Sequence, residues 1–411
     1  MSWRVDGASD TAPRTERVLV AALAMSVTAV LPSFLVGALA VQIRADLDFD
    51  ATGLGLALGA FGLAAALSSA LLGHLVERIG PHRAMRIASV TATVAMVAIA
   101  AWASSLISLA AFLVVAGVAN ALAQPAANAL VARGVPAARH GVAFGIKQAG
   151  MPSAALLAGA TVPLLALTVG WRWAFVAGGA IGLGSLAVVP RAGARTARAS
   201  APTDPGEHDA EDRDDSTGRT GGGASARTLV VLTVGVGLGA TAASALVTFL
   251  VSGAVHVGIG PGPAGWLLTA GSIIGISVRL RAGVLADRRA GRHLHIVSLM
   301  MLGGAGAYAL FAFDVAWIYV VATALAFGTG WAWPGLFNFA VVRARPDGPG
   351  AATGLTQTGT YIGLVVGPLV FGAVVDAASY TVAWLVTSGF ALAAAGTITA
   401  GRRRIRRDRL R

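Results

Sequence analysis

Cysteine is absent from the 411-residue sequence, and charged residues make up only 12% of it. Without cysteine the protein has no disulfide, no thiolate nucleophile and no zinc–thiolate site. Soluble domains carry roughly 25% charged residues, whereas 56% of this chain is hydrophobic. A water-soluble fold is therefore not expected, and the composition is typical of a protein that crosses a membrane several times.

Long apolar segments recur along the whole chain, and about 20 residues suffice for each to span a bilayer. They cover residues 18–42, 53–74, 85–104, 106–132, 143–166, 171–190, 228–255, 263–284, 294–313, 315–342, 353–375 and 380–400. We number them spans 1 to 12. The sequence therefore predicts an all-α membrane protein with 12 transmembrane helices.

Basic residues are distributed unevenly between the two sides of these spans. Arg44 and Arg172 are the bases in connections on one side, and the other bases outside the spans fall on the side of the N-terminus. Because positive charge marks the cytoplasmic side, we expect both termini inside. Arginine supplies 30 of the 31 basic residues, a bias that indicates a GC-rich bacterial genome and hence a bacterial cytoplasmic-membrane protein. The net charge of +12 thus indicates orientation, and no nucleic-acid partner is expected.

The chain divides into two apolar blocks and three polar segments. Residues 191–227 are rich in glycine, serine, threonine and proline and hold both signs of charge without an apolar run, which predicts a disordered cytoplasmic linker. The expected organisation is a tail (1–17), a six-helix bundle (18–190), the linker (191–227), a second six-helix bundle (228–400) and a basic tail (401–411).

An internal repeat relates the two blocks. GVAFGIKQAG at Gly141–Gly150 matches GAATGLTQTG at Gly350–Gly359, and GHLVERIGPHR at Gly73–Arg83 matches GVLADRRAGRH at Gly283–His293. Two parallel six-helix repeats form a known transporter architecture whose site lies near the bilayer midplane, between the halves. The repeat therefore predicts two pseudo-symmetric halves.

The repeated loop after spans 2 and 8 resembles the signature loop of the major facilitator superfamily, and GWRWAF at Gly170–Phe175 also fits that family. The resemblance covers nearly the whole chain. It implies a secondary carrier whose halves rock to expose the site to each side in turn. Glu77 stands where the family usually has aspartate, and the second loop has one extra residue.

The resemblance also implies that charge contacts between the two loops hold one face closed. The residues to which this gating role is carried over are Gly73, Glu77, Arg78, Gly80, Arg83, Gly283, Asp287, Arg288, Gly291 and Arg292.

Ionisable residues inside the predicted spans are few and all basic: Lys147, Arg279 and Arg281, whereas all 19 acids fall outside the spans. Such residues are functional candidates by default because they are costly in a membrane. A buried cation needs a counter-charge, and no protein carboxylate is near in sequence. The pattern favours an anionic substrate.

Arg279 and Arg281 differ by about 200° around a helix, so only one of them can face a cavity. We assign Arg279 inward and Arg281 to the lipid headgroups, with headgroup contact as the alternative for Arg279. Lys147 is the only lysine of the chain. It is either a compact, titratable group of the site or an interfacial lysine that reaches lipid phosphates.

Amides form a stripe on span 4, where Asn120, Gln124 and Asn128 recur every four residues on one helix face. By the resemblance, spans 1, 4, 7 and 10 line the central path, which adds candidates from span 10. Interhelical bonding and packing are the alternative roles for these side chains. The further candidate residues are Trp331, Trp333 and Asn338 of span 10, the repeat-related Gln148 and Gln357, and Tyr361.

No cluster of acids, bases or metal ligands lies at membrane depth, so an enzyme is not expected, nor is a cofactor or a bound metal. The leading hypothesis is a monomeric secondary transporter for a small organic anion of the carboxylate type. An exporter of drugs or metabolites from the same superfamily is the alternative, which the tryptophans of span 10 favour.

Overall fold

A computed structural model describes residues 12–136, 139–189, 225–288, 293–345 and 349–408. All regular elements in these ranges are helical. This follows from the apolar sequence, because a segment in lipid must satisfy its backbone hydrogen bonds internally. The described residues contain 12 helical segments that are long and apolar enough to cross a membrane, as the sequence predicts.

The first six spans begin with Ala12–Ala38, which a short helix, Ala40–Leu47, extends. The others are Ala51–Ile79, Pro81–Trp102, Leu106–Gly134, the composite span 5 (His140–Gln148, Gly150–Thr161 and the π-turn Val162–Ala166) and Trp171–Val188.

The last six spans are Ala226–His256, Pro261–Arg288, His293–Leu310 with the 3₁₀ turn Phe311–Phe313, the composite span 10 (Ala316–Leu325, the π-turn Ala326–Gly330 and Pro334–Ala344), Pro349–Ala377 and Tyr380–Asp408.

Several helices continue past their predicted ends. Span 2 runs to Ile79 and span 11 to Ala377, so Glu77 and Asp376, expected in connections, lie in final helical turns. The predicted basic tail at 401–411 is helical to Asp408, because arginine is a good helix former and its charge suits a helix C-terminus. Most of the predicted linker at 191–227 lies outside the described residues, and span 7 begins at Ala226 after its cap, Ser225.

Three apolar clusters show how the halves meet. One cluster draws on both halves, from Leu54 and Phe175 in the first to Phe249 and Trp384 in the second. A second contains only residues from the last six spans and a third only residues from the first six. We call the end of the bundle where span 1 begins and span 12 ends the terminal face. The halves share a core at the opposite face and have separate cores at the terminal face.

The two most extensive seams between the halves are those of span 2 with span 11 and of span 5 with span 8, and span 1 also contacts span 7. At the opposite face, the carboxylate of Asp376 on span 11 accepts hydrogen bonds from the backbone amides of Ala51 and Thr52, at 3.2 and 2.5 Å, and from the Thr52 hydroxyl at 2.6 Å. These amides belong to the exposed N-terminus of span 2, which attracts negative charge. Asp376 therefore closes this face by bridging the two halves.

Glycines let the two helices of the first seam approach closely. A side chain at Gly55 would collide with the Pro368 carbonyl, and one at Gly372 with the Ala51 carbonyl. Nearer the terminal face, Gly73, Gly145 and Gly354 have open space where a side chain would begin. Among the described residues, the two halves thus enclose a cleft that is open at the terminal face and closed at the opposite face.

Candidate functional site

Two backbone carbonyls at helix breaks form the base of the site. Span 5 is interrupted after Gln148, and the residue four positions on, which would normally donate to the Gln148 carbonyl, is Pro152. Proline has no N–H, so this carbonyl lacks its helical partner. On span 10 the Trp331 carbonyl lies in the break between the π-turn and the helix that begins at Pro334. Both carbonyls are therefore available to other donors.

The guanidinium of Arg279 on span 8 donates hydrogen bonds to both carbonyls. One terminal nitrogen lies 3.4 Å from the Gln148 oxygen and the other 2.5 Å from the Trp331 oxygen. The guanidinium carbon is 4.8 Å from the centre of the Trp331 ring, within range of a cation–π interaction. Arg279 thus bridges the two halves of the molecule through neutral groups. Arg281, by contrast, is exposed.

Part of the Arg279 side chain has no partner. Its Nε is buried and makes no hydrogen bond in the described structure. A guanidinium has five N–H donors and no acceptor. The Nε–H of Arg279 is therefore a donor that an oxygen acceptor can use.

The second cation, Lys147, starts a chain of side chains on spans 5 and 4. Lys147 is buried, with 6% of its surface exposed, and its Nζ lies 2.5 Å from Oε1 of Gln124. Nε2 of Gln124 lies 3.2 Å from Oδ1 of Asn120. Because an ammonium only donates, the amides must turn their oxygens towards Lys147. The chain therefore ends at Asn120 with an NH₂ group, which is again a donor.

Neither cation is neutralised by a carboxylate among the residues that the structure describes. The ion pairs found there join Arg172 with Asp46, at 3.1 Å, and His74 with Glu77, at 3.7 Å, both on the surface. The carboxylates of Glu77 and Asp376 lie near helix ends, away from Lys147 and Arg279. Among the described side chains, the positive charge in the interior of the bundle is consequently not matched by a carboxylate.

Each seam ends, towards the terminal face, in a polar contact. On the seam of spans 5 and 8 this is Arg279 with Gln148. On the seam of spans 2 and 11 the side chains of Tyr361 and Ser69 are neighbours. Ser69 is the counterpart of Arg279 in the sequence repeat. The two equivalent junctions form the floor of the cleft, and only one of them carries a charge.

The other predicted site residues do not all come together here. Gln148 contributes its backbone carbonyl, Asn338 is half-buried, and Asn128 and Gln357 are exposed. Trp333 is buried in the core of the second half, where its Nε1 donates to the Gly330 carbonyl at 2.9 Å. Its geometry is that of a packing residue, whereas Trp331 contacts Arg279.

Two residues of the site were not singled out from the sequence. Phe34 on span 1 has its ring 6.3 Å from that of Trp331, and the side chain of Ser69 is a neighbour of the Tyr361 side chain. Phe34 follows Pro32 and Ser33 in an apolar helix, and nothing in the sequence distinguishes it from the other apolar residues there. Ser69 could have been identified from the sequence repeat, because it occupies the position equivalent to Arg279.

The gating residues of the first loop lie on the surface of the part of the chain that the structure describes. Glu77, Arg78 and Arg83 are exposed, and Gly80 has a φ of +82°, which favours glycine between Ile79 and Pro81. In the second loop, Gly283, Asp287 and Arg288 end span 8, and only their backbone is described. Gly291 and Arg292 lie outside the described residues. The implied charge latch stays a prediction.

Comparison with known proteins identifies the family. The sequence model of the Major Facilitator Superfamily matches residues 18–253 and 229–409, and the chain belongs to this superfamily. It is therefore a multi-pass membrane transporter for a small-molecule substrate, and not an enzyme. No curated protein matches the sequence.

Solved structures share the fold at low sequence identity. A bacterial homologue of the human lysosomal transporter Spinster, in an inward-facing and unoccupied conformation, superposes with a TM-score of 0.71 at 17% identity, covering 97% of this chain and 98% of the other. The same homologue in an occupied conformation gives 0.70 at 16%, with the same coverage. A point mutant of the nucleoside transporter NupG gives 0.71 at 14%, covering 94% of this chain and 99% of the other. At these identities the likeness concerns the fold alone.

Proposed function

We propose that this transporter carries a small organic anion of the carboxylate type. The observation that carries the proposal is Arg279, a cation in the floor of the cleft held by two neutral carbonyls, with its Nε unpartnered. An arginine binds a carboxylate through two parallel hydrogen bonds. A carboxylate would supply both an acceptor and a negative charge.

The surroundings of Arg279 support the same substrate class. Lys147 and the NH₂ group at the end of its amide chain add donors and no acceptor. The rings of Trp331 and Phe34 supply an apolar wall. The substrate would therefore combine one anionic group with a small apolar or aromatic body.

Export of apolar drugs or metabolites is the second candidate function, and the same two rings favour it. In that case Arg279 would serve to hold the two halves together through its carbonyl contacts. The two candidates differ in whether binding depends on the charge of Arg279.

Orientation follows from the distribution of charge. The terminal face carries Arg78, Arg83, Arg133 and Arg343, among other bases, and positive charge marks the cytoplasmic side. We place both termini in the cytoplasm of a bacterial cell and describe this structure as open to the cytoplasm. The inward-facing Spinster homologue, of similar fold, supports this assignment.

Thermal unfolding of the detergent-purified protein tests the proposal, because a ligand that binds the folded state raises the apparent stability. The probes are small carboxylates, inorganic anions, neutral sugars and apolar cations. We expect stabilisation by carboxylates, and in Arg279→Gln an affinity lower by about 10- to 100-fold, since a hydrogen bond to a charged group contributes about 1.5–3 kcal/mol.

Arg281→Gln is the matched control, because it removes the same charge from an exposed position two residues along the same helix. It should leave the carboxylate response unchanged. Stabilisation by apolar cations alone, unaffected by Arg279→Gln, would contradict the anion proposal and favour the exporter.

A further inference from the structure

A groove of about 700 Å³ lies between spans 9 and 12, far from the transport cleft. Its deeper end is lined by the apolar residues Leu302 and Leu392 and by Gly396. Its other end, at the terminal face, is lined by Arg403, Arg404 and Arg407. The groove therefore changes along its length from apolar to strongly basic.

The groove faces the lipid. Spans 9 and 12 pack mainly against each other and against other elements of the second half. Leu302 is 49% exposed and Leu392 56% exposed, and large apolar side chains on the outside of a membrane protein meet acyl chains. The groove thus opens to the bilayer and not to the site of Arg279.

Its length fits one leaflet. Leu392 and Arg407 are separated by about 22 Å at 1.5 Å per helical residue, and half of a bilayer with its headgroups is about 20–22 Å. Gly396, Thr399 and Arg403 follow at helical spacing between them on one face of span 12. The arginines consequently lie at headgroup depth when the leucines lie among the acyl chains.

The polar groups of the groove wall are already satisfied. The Ser298 hydroxyl lies 2.9 Å from the Ala395 carbonyl and 2.7 Å from the Thr399 hydroxyl. Hydrogen-bonding capacity for a ligand is therefore concentrated in the arginines, whose planar donors suit phosphate oxygens.

From these observations we infer that the groove is a binding site for one anionic glycerophospholipid. Its phosphate contacts Arg403, Arg404 and Arg407, and its acyl chains lie along Leu302 and Leu392. A soluble phosphate would use the arginines but not the apolar length, so the groove as a whole is matched by a lipid. This site is separate from the transport function.

Native mass spectrometry of the full-length protein, with phosphatidylglycerol and phosphatidylcholine as probes, tests the assignment. Each arginine near a membrane surface contributes about fivefold to the binding of anionic lipid. In R403Q/R407Q we expect phosphatidylglycerol retention to fall by about 25-fold while phosphatidylcholine is unchanged. The control R402Q/R406Q removes equal charge from residues of the same helix that do not line the groove, and should retain phosphatidylglycerol.

Equal loss in both double variants would mean general attraction between the basic helix and the membrane, and would overturn the proposal. Retention of phosphatidylglycerol by both variants would do the same. Thermal unfolding in lipid-free detergent verifies that all variants are folded.

A charge-neutral variant tests the apolar end separately. A side chain at Gly396 meets open space, so Gly396→Leu should fill the groove without disturbing the helix and should reduce retention of phosphatidylglycerol. Gly389→Leu is the matched control, since this residue also has open space around it and lies on the same helix outside the groove. Unchanged lipid retention in Gly396→Leu would place the lipid elsewhere.

Discussion

At the scale of single residues, Pro152 determines which partner the Gln148 carbonyl can find. With alanine at this position, the backbone N–H would bond that carbonyl and compete with Arg279. We expect Pro152→Ala to lower the affinity for the stabilising carboxylate several-fold, measured by ligand-dependent thermal unfolding. The effect should vanish when Arg279 is already glutamine, because the two residues share one interaction. Equal effects in both backgrounds would show that Pro152 acts through helix packing alone.

Gln124 offers a second test at this scale, because glutamate has the same shape and adds a negative charge beside Lys147. Gln124→Glu should raise thermal stability without ligand, since it pairs a buried cation. It should also weaken carboxylate binding at least tenfold. Asn128→Asp, an exposed position one helical turn further along the same stripe, is the control and should change neither quantity strongly. Undiminished carboxylate binding in Gln124→Glu would remove Lys147 from the site.

The sequence was enough to single out the charged residues of this candidate site. Lys147 and Arg279 were identifiable because bases inside apolar spans are rare and costly. The partners of Arg279 were not, because they are backbone carbonyls and every residue has one. Pro152, which leaves the Gln148 carbonyl without its helical partner, is the only residue in the sequence that points to one of these carbonyls. The sequence does not distinguish the roles of Trp331 and Trp333. Only the packing of the folded chain places Trp331 against Arg279 and Trp333 in a core.

At the scale of helices, the contact between Asp376 and the N-terminus of span 2 holds the opposite face closed. A side chain that caps a helix contributes about 0.5–2 kcal/mol. Asp376→Ala should therefore shift the population towards opening at this face by about 2- to 30-fold. Spin labels on Ser104→Cys and Trp317→Cys, one on each half at this face, would report a longer distance.

Asp46→Ala is the matched control for this measurement. Asp46 lies at the same face, but its bonds to Trp171 and Arg172, at 3.2 and 3.1 Å, stay within the first half. Its removal should leave the distance distribution unchanged. If both variants widen the distance equally, loss of negative charge at this face, and not the helix cap, is responsible.

The number and order of the helices followed from hydropathy, but their ends did not. Apolar runs stop where polar residues begin, whereas helices continue while the backbone remains paired, as in span 2 up to Ile79 and span 12 through its arginines to Asp408. The hydrogen bonds from Asp376 to span 2 could not be predicted from the sequence. A carboxylate in the last turn of one helix does not indicate which other helix it will contact.

At the scale of the whole molecule, the charge distribution makes a prediction about sidedness. The chain has no cysteine, so each introduced cysteine is a probe without background. Ser104→Cys, in a connection at the opposite face, should react with a membrane-impermeant maleimide in intact cells. Gly354→Cys, which faces open space at the terminal face, should react only in inside-out vesicles. The reverse pattern would invert the proposed orientation.

The repeat between GVAFGIKQAG and GAATGLTQTG predicted the two halves, and the structure has them. Which face is open could not be predicted in this way. A carrier that alternates between two states must encode both of them in one sequence, and their free energies differ by only a few kcal/mol. The open terminal face is therefore a property of the contacts that are formed, such as the Asp376 bridge, and not of any single motif.

The position of the only lysine has a further consequence for the biology of the chain. Acetylation and ubiquitination act on the side-chain amine of lysine, and here that amine lies inside the bundle, bonded to Gln124. Modifying enzymes need an accessible amine, and they cannot reach this one while the helices stay packed. Control of this transporter through lysine modification is thereby confined to chains that have already lost their fold.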